Sequence, residues 1–503
     1  MTENTVVIEK LSLPNEQHLY PLHFDKNERK ELINKLQIQI KEVFSHFQNS
    51  IEMINQKDEI LIKINGIDGN PYCYTRPSVL EATIRFLQTL GKKKIYVIEN
   101  STQGNFTRIV FATVGYDKVC KRTGAIPIYL DEYSASSLTF KRPKSLEKNE
   151  KIKERKKGGK LGEEEERREG EEKEEKVERL TNSNYDLDTF HLPDFLREKL
   201  IEQRDSTFYI NIPKLKTHSM AGVTLGIKNQ WGLPIHQDRS SDHNFRLHEK
   251  LVDVLEYIQP DFTLIEGIEG TVHGHYPVQA LSDEMIVPFR ILIGGDNVVA
   301  TDLVGARVFG LNQNDIPHLK LAIERNLSKG VKGLEDINII GDLALYSTKY
   351  DTDLIQQFPP DVKIISGKEL WCKEGCRNNP LSLLQVLYLD YGGKGRFTLI
   401  AGKGLDLEEI DKIQGKVFIA GHCAIEEVRD RLVNRLGKKN VYCSGGCNNL
   451  AETTAALLHL MCVDTVKMVP INPIRAIFLY IMAKLHGSNS KVPPIWAHLI
   501  KVV

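Results

Sequence analysis

The stretch STFYINIPKLKTH, residues 206–218, decides the fold, because an apolar run changes there into a cluster of cationic side chains. The segment STFYINI is typical of a buried strand, and the following PKLKTH predicts a polar loop at the strand end. Strands that alternate with helices predict an α/β protein with a mostly parallel sheet. Further strands are predicted at residues 57–64, 94–98, 126–130, 262–265 and 289–293, and helices at residues 77–90, 107–114 and 298–309.

The chain has 503 residues, which is more than one hydrophobic core usually holds. We expect an α/β core domain formed by residues 1–140 and 185–350, and a smaller cysteine-rich βαβα domain formed by residues 360–503. Residues 141–180 contain 15 Lys or Arg and 13 Asp or Glu without a periodic apolar face. This composition predicts a disordered insertion over residues 141–184, with a solvated single helix as the alternative.

The overall charge and the terminal segments narrow the range of partners. Lys and Arg number 67 and Asp and Glu also number 67, so the net charge gives no reason to expect nucleic acid. The N-terminus lacks the basic flank and apolar run of a secretory signal. Residues 470–485 are apolar but carry Arg475 and Lys484, which predicts a docked helix and no transmembrane segment, with an interfacial membrane anchor as the alternative. We therefore expect a cytoplasmic protein with reduced cysteines.

The polar residues that follow the strand at residues 206–212 form the densest candidate site. Ligands of α/β sheets bind at the carboxyl ends of strands, where lysines supply charge and glycines let the backbone approach. We predict a site for a small anionic substrate, with Lys228 as nucleophile or cofactor anchor and His218 as acid–base group or ligand. A solvated basic loop is the alternative. The residues expected to contact the substrate are Lys214, Lys216, Thr217, Gly222, Thr224, Asn229, Asp296 and Asp302.

Carboxylates and histidines follow the strand predicted at residues 262–265. They are expected at the same sheet edge, where they could bind a metal or transfer protons, and Glu269 is the candidate catalytic carboxylate. A glycine-rich turn with solvated side chains is the alternative. Asp296 is also expected to cap the helix at residues 298–309. The candidate metal-ligating histidines are His243, His248, His273 and His275.

Six of the eight cysteines follow residue 370. The strands predicted at residues 416–420 and 440–442 end next to cysteines, and another cysteine precedes the helix at residues 448–460. Thiolates that converge in this way suit a [4Fe–4S] cluster or zinc, whereas scattered thiols with one redox pair are the alternative. The candidate ligands are Cys372, Cys376, Cys423, Cys443 and Cys447.

Three motifs resemble the family named domain of unknown function 362. They are PKLKTH at residues 213–218, Gly-Val-Thr at residues 222–224, and Lys-Asn at residues 228–229 before Gly232. The chain is identified as a member of that family over residues 55–335. Asn297 stands where the family usually has proline in the segment GDNVVATD. Many members are associated with iron–sulfur modules, so the resemblance implies such a centre.

The spacing of His218, Gly222 and Lys228 is similar to that of the cofactor-bearing segment of nickel-pincer lactate racemases. This resemblance implies that the lysine holds a pyridinium-derived nickel cofactor and that His243 or His248 ligates the metal. The Gly-Gly-Arg that precedes the racemase lysine is absent, because Leu-Gly-Ile stands there.

These patterns together predict an enzyme that depends on a metal or an iron–sulfur cluster and performs a redox reaction on a small anionic substrate. An electron-transfer protein is the expected protein partner. Two alternatives stay open at this point: a racemase-like isomerase with a structural zinc, and a metal or cluster carrier without catalysis.

Overall fold

The computed structural model describes residues 4–13, 26–102, 105–141, 189–240, 244–346 and 348–490. The predicted charged insertion lies outside the described residues apart from Lys141. The strands are β1 Thr5–Lys10, β2 Glu59–Ile64, β3 Ile95–Glu99, β4 Ile126–Tyr129, β5 Ala135–Thr139, β6 Thr189–Pro193, β7 Thr207–Ile212, β8 Lys214–His218, β9 Gly222–Thr224, β10 Phe262–Thr271, β11 Ile286–Val287, β12 Ile291–Gly295, β13 Asn338–Ile340, β14 Val362–Ser366, β15 Phe397–Ala401, β16 Lys416–Ala420 and β17 Val441–Ser444.

The α-helices alternate with many of these strands. They are α1 Lys26–Ser45, α2 Gln48–Gln56, α3 Pro77–Thr89, α4 Thr107–Val114, α5 Tyr116–Thr123, α6 Asp194–Arg197, α7 Gly226–Asn229, α8 His236–Ser240, α9 Leu247–Tyr257, α10 Ser282–Met285, α11 Val298–Val308, α12 Pro317–Glu324, α13 Asn378–Leu389, α14 Leu407–Asp411, α15 His422–Leu436, α16 Leu450–Leu460 and α17 Pro473–Leu485.

The large sheet has the strand order β13-β1-β12-β10-β7-β2-β3-β4; in addition, β8 and β11 pair with β10, and β9 pairs with β8. The half from β10 through β4 is parallel, whereas β12 runs antiparallel to both β1 and β10. The predicted α/β class with a mostly parallel sheet is confirmed.

Both faces of this sheet are buried, as the near-continuous apolar strand sequences require. In β2, Leu61 contributes to the hydrophobic cluster on one face, while Ile60 and Ile62 contribute to the cluster on the other. Because side chains alternate along a strand, one apolar segment supplies both layers of the core. The polar ends of these strands are therefore the places where functional side chains can emerge.

A second, four-stranded parallel sheet has the order β14-β15-β16-β17. Helices α13 and α16 pack on one face, where Leu384 and Leu457 contact the cluster that contains Phe418. Helices α14 and α15 cover the other face through Ile410 and Leu432. This arrangement places the carboxyl ends of its strands beside the amino ends of its helices.

Two predicted loops are wrong, because both segments form strands. Lys214–His218 is strand β8, and β10 continues to Thr271 instead of ending near residue 265. Lys214 lies opposite Glu266 in the register of β8 and β10, so the two charges neutralise each other and polar strands can be buried. The predicted cap is also corrected, since Asn297 rather than Asp296 accepts hydrogen bonds from the first turn of α11.

The apolar segment near the C-terminus forms helix α17, which packs against α4. Ala483 is buried there, and the ring of Tyr480 meets Phe106 edge-on at 5.5 Å. The opposite face of α17 exposes Ile474 and Leu485. None of the helices in the described part of the chain is long and apolar enough to cross a membrane.

Candidate functional site

A cavity of about 1220 Å³ lies between the carboxyl ends of β2, β3 and β8 and the helices α13, α16 and α17. One wall of the cavity is polar and carries most of its ionisable groups. The cationic and imidazole side chains on this wall are Lys63, Lys216, Lys228, Arg239, His218 and His275.

Lys216 belongs to the fully buried strand β8. Its Nζ donates hydrogen bonds to Asn65 Oδ1 and to the Cys73 carbonyl oxygen, both at 2.7 Å. Burial is the main cause that lowers the pKa of Lys216 to about 8; the charge of Lys214 acts in the same direction, whereas Cys73 opposes the shift. A lysine in this setting can change its protonation state near neutral pH.

A chain of amide side chains fixes the position of helix α7. Asn65 donates to Asn229 Oδ1 at 2.7 Å, and Asn229 donates to Asn211 Oδ1 at 2.7 Å. Asn211 in turn donates to the carbonyl oxygen of Gly226 at 2.8 Å. These bonds are buried, so α7 and the lysine that it carries are held in a defined place.

Lys228 is the cation of α7 and lines the cavity. Among the described residues, no carboxylate or carbonyl oxygen accepts a hydrogen bond from its Nζ. Burial, together with the positive charges of Lys216, Arg239 and Lys63, lowers the pKa of Lys228 to about 7. A protonated lysine that has no counter-ion and lies among other cations attracts an anion strongly. Its neutral form is a nucleophile.

Two further cations in the wall already have partners. Lys63 donates to Glu99 Oε1 at 2.6 Å, and both side chains are almost fully buried. Arg239 donates to the carbonyl oxygens of Asn100 and Ser101, each at 2.9 Å. Burial lowers the pKa of Arg239 to about 10. Sequence reasoning missed these residues, although Glu99 and Asn100 directly follow the predicted strand at residues 94–98.

Two histidines form a stacked pair in the same wall. The rings of His218 and His275 lie 3.8 Å apart, nearly parallel. His218 Nδ1 accepts hydrogen bonds from the N–H groups of Met220 and Ala221 at 3.2 Å. The proton of the neutral ring therefore sits on Nε2, which makes His218 a candidate proton donor towards the cavity.

Several residues that were predicted to contact the substrate do not line the cavity. Some of them form buried ion pairs beside it. Lys214 lies 2.8 Å from Glu266, and Arg76 donates to Glu269, the predicted catalytic carboxylate. Lys214 also lies 3.6 Å from Glu269. This group of two cations and two carboxylates is internally balanced. The other predicted contacts outside the cavity lining are Thr217, Gly222, Asp296 and Asp302, while Thr224 and Asn229 line it.

Asp302 holds the first turn of α7 in place. Its carboxylate accepts hydrogen bonds from the backbone N–H groups of Gly226 at 2.6 Å and Ile227 at 2.8 Å. Burial raises the pKa of Asp302 to about 7, although these two hydrogen bonds oppose the shift. Asp302 is therefore a positioning residue for Lys228.

Replacing Asp302 with alanine is expected to lower the free energy of unfolding by about 1–3 kcal/mol, because two buried N–H groups lose their acceptor. Urea denaturation measures this change. The matched control is Asp296→Ala. Asp296 directly precedes Asn297, which is the N-cap of the helix that contains Asp302, so this substitution leaves the cap in place. Equal effects of the two substitutions would contradict the positioning role of Asp302.

The remaining candidate histidines lie apart from one another. His248 Nδ1 is 3.1 Å from His318 Nδ1, and its Nε2 lies 3.9 Å from Glu374. His273 Nδ1 lies 3.1 Å from the Asp353 carbonyl oxygen. His243 lies outside the described residues.

Four of the five candidate cysteines approach one another at the carboxyl edge of the small sheet. Burial raises the pKa of the Cys376 thiol, and the neighbouring Cys447, Cys372 and Cys423 raise it further. Cys376 lies in the π-helical turn Lys373–Arg377. Any side chain at Gly421 would overlap Cys376 Sγ, so glycine is required where this thiol passes.

Cys443 lies apart from these four thiols. It is in β17, and its electrostatic neighbours are Arg429 and Glu452. All eight cysteines are described, and none forms a disulfide. Among the described residues, no three or more His, Cys, Asp or Glu side chains are close enough to hold a single metal ion.

The fold and the cavity define an α/β protein with a large cavity that has a cationic wall. Residues 60–155 and 184–307 match the sequence model of the family described as Domain of unknown function (DUF362). The resemblance predicted from its motifs is confirmed. Lys216, Lys228 and Asn229 all lie inside the matched segments.

The chain is also similar to a thylakoid-associated protein of Synechocystis sp., with 30% identity over 123 residues. The match covers 23% of this chain and 36% of that relative's length. No solved structure is significantly similar to the chain. The comparisons do not show the similarity to nickel-pincer lactate racemases.

Proposed function

We propose that the protein is an enzyme that acts on an anionic substrate in this cavity, with an iron–sulfur cluster supplying electrons. The observation that carries the proposal is the cavity-lining Lys228, which has no counter-ion among the described residues and lies near Lys216 and Arg239. The protonated form of Lys228 would therefore attract an anion. Lys228 would hold the anion and His218 would donate a proton from Nε2.

The four-cysteine group supports the second half of the proposal. Cys372, Cys376, Cys423 and Cys447 supply the four thiolates that a [4Fe–4S] cluster needs. The cluster would supply single electrons to the substrate or to a partner.

The cysteine group also lies next to the cavity. Cys376 precedes the cavity-lining Asn379 by three residues, and Cys447 precedes the cavity-lining Leu450 by three residues. Asn379 donates to the carbonyl oxygen of Asn448 at 3.0 Å, which ties the two segments together. Under this proposal an electron would pass between the two sites through these adjoining segments.

The experiment that tests this proposal is the iron and acid-labile sulfide content of anaerobically purified protein. We expect both in the wild type and a loss of most of the iron and sulfide in Cys376→Ser. Cys443→Ser is the matched control and is expected to keep its iron, because Cys443 faces Arg429 and Glu452.

The other outcomes separate the remaining hypotheses. Zinc or nickel without sulfide would favour the isomerase with a structural metal. Cluster binding together with anion binding unchanged by Lys228→Met would favour a carrier protein. Absence of any metal would contradict the cluster and leave the anion site alone. We propose the cytoplasm as the compartment, because a reducing environment would keep thiols such as Cys372 and Cys376 available as ligands.

A further inference from the structure

We infer that the cavity takes an amphiphilic anion, in which a phosphate, sulfate or carboxylate head is joined to a long apolar chain. This inference rests on the proposed anionic substrate and specifies its class. The sequence predicted only a small anion. Three features favour an amphiphilic anion over a small one. They are the size of the cavity, the chemistry of its lining and its opening at the protein surface.

The cavity is too large for a small anion alone. Its volume of about 1220 Å³ exceeds the range of roughly 300–1,000 Å³ that is usual for drug-sized ligands. A phosphate or a short carboxylate beside Lys228 would leave most of this space to water. A ligand that fits must continue well beyond the cationic wall.

The part of the lining that comes from α4, α13, α16 and α17 is mostly apolar, although Lys467, between α16 and α17, also contributes to it. A bound apolar chain would remove this surface from water. Representative side chains of this wall are Phe106, Ile109, Leu383, Val386, Leu458 and Ile477. A ligand with a charged end and an apolar end matches both walls at once.

The polar wall carries a further group suited to a head group. The Thr224 hydroxyl is buried, and the residue is only 3% exposed. It has no hydrogen-bond partner among the described residues. Because Thr224 lines the cavity close to the strand that carries Lys216, its hydroxyl can donate to an anionic oxygen.

Three acidic residues also line the cavity, and each is held by donors of the protein. Glu99 is paired with Lys63 at 2.6 Å. Asp68 Oδ1 accepts a hydrogen bond from the Tyr276 hydroxyl at 3.2 Å, and Asp390 accepts one from the backbone N–H of Gln279 at 3.1 Å. Lys228, by contrast, has no carboxylate partner among the described residues.

The apolar part of the cavity reaches the protein surface along α17. Ile477 lines the cavity and is nevertheless 49% exposed. Ile474 on the same helix is 78% exposed and does not line the cavity. A long chain can therefore enter beside Ile477, either from a lipid surface or as a free amphiphile in solution.

Calorimetric binding of alkyl phosphates below their micelle concentrations tests this inference. We expect affinity to rise from ethyl to dodecyl phosphate, by roughly threefold to fourfold for each methylene that becomes buried. Ile477→Asp is expected to weaken dodecyl phosphate at least tenfold and to leave ethyl phosphate unchanged. Ile474→Asp is the matched control and should bind both probes like the wild type.

The outcomes separate this inference from the proposed function. If ethyl and dodecyl phosphate bind equally well, the apolar chain is contradicted and the anionic substrate stands. If neither phosphate binds, the anionic substrate itself fails. A loss of both probes in Lys228→Met, with the loss in Ile477→Asp limited to dodecyl phosphate, supports a head at the cationic wall and a chain along α17.

Cosedimentation with phosphatidylglycerol vesicles distinguishes the two sources. If the ligand comes from a lipid surface, the wild type should sediment with the vesicles and Ile474→Asp should sediment less. If monomeric dodecyl phosphate binds and the vesicles do not, the ligand is a free amphiphile. Both results agree with a ligand that joins an anionic head to an apolar chain. Binding of neutral dodecanol as tightly as dodecyl phosphate would overturn the inference, because the anionic head would then contribute nothing.

Discussion

Replacement of Lys214 with methionine is expected to lower the free energy of unfolding by about 3–5 kcal/mol. Lys214 and Glu266 are both fully buried, and the ammonium lies 2.8 Å and 2.9 Å from the two carboxylate oxygens. Without the lysine, the carboxylate stays in the core without its main counter-charge. Urea denaturation of the two proteins gives the difference.

The double variant with Lys214→Met and Glu266→Gln is expected to recover at least half of the lost stability. Glutamine removes the buried charge and still accepts from the backbone N–H of Ile268, which now bonds Glu266 Oε1 at 3.0 Å. Lys35→Met, in an exposed pair with Glu31, is the surface control and should change little. A small effect of Lys214→Met would show that its charge is not needed in the core.

Anion affinity is expected to fall as the pH rises through about 7 and again through about 8. These values are the lowered pKa values of Lys228 and Lys216. Below pH 7 both lysines are protonated and attract the anion, and each loses its charge as the pH passes its pKa. Once both lysines are neutral, the affinity should be lower by roughly 10- to 100-fold.

Sulfate is the appropriate probe, because its charge does not change over this pH range. Calorimetric titration from pH 6 to 9 measures the profile. In Lys228→Arg the guanidinium stays charged throughout, so the inflection near pH 7 should disappear while binding is retained. An unchanged inflection in this variant would show that another group is responsible for the pH dependence.

The alternating strands and helices were predictable because their apolar periods are strong. β16 has the predicted bounds, residues 416–420. The strand β8 could not be predicted, because its lysines are buried only through pairing with distant partners such as Glu266. A sequence read locally gives no sign that a remote carboxylate neutralises Lys214.

The candidate site was predicted in part. Of the predicted site residues, Lys216, Lys228 and Asn229 line the cavity, and their role in binding stays a prediction. Lys63 and Arg239 were missed. Lys63 lies inside an apolar strand and Arg239 on a short helix, so neither position has the strand-end context that marks a site.

The apolar wall of the cavity could not be predicted at all. Its side chains come from α4 and from helices near the C-terminus, and their patterns are those of ordinary core helices. Only the tertiary arrangement leaves them facing a cavity. The separation of Cys443 from the other candidate cysteines likewise depends on which neighbours the small sheet provides.

The position of β1 in the large sheet has a consequence for synthesis on the ribosome. β1 begins at Thr5, yet its partners are β12 at Ile291–Gly295 and β13 at Asn338–Ile340. At typical translation rates of about 5–20 residues per second, the partner strands emerge on the order of 15 to 60 s after β1. During that interval the backbone of an apolar strand has no native hydrogen-bond partner, and pairing across such a distance is slow. The nascent chain therefore has a period in which chaperones, or β1 strands of neighbouring nascent chains, can compete for this edge.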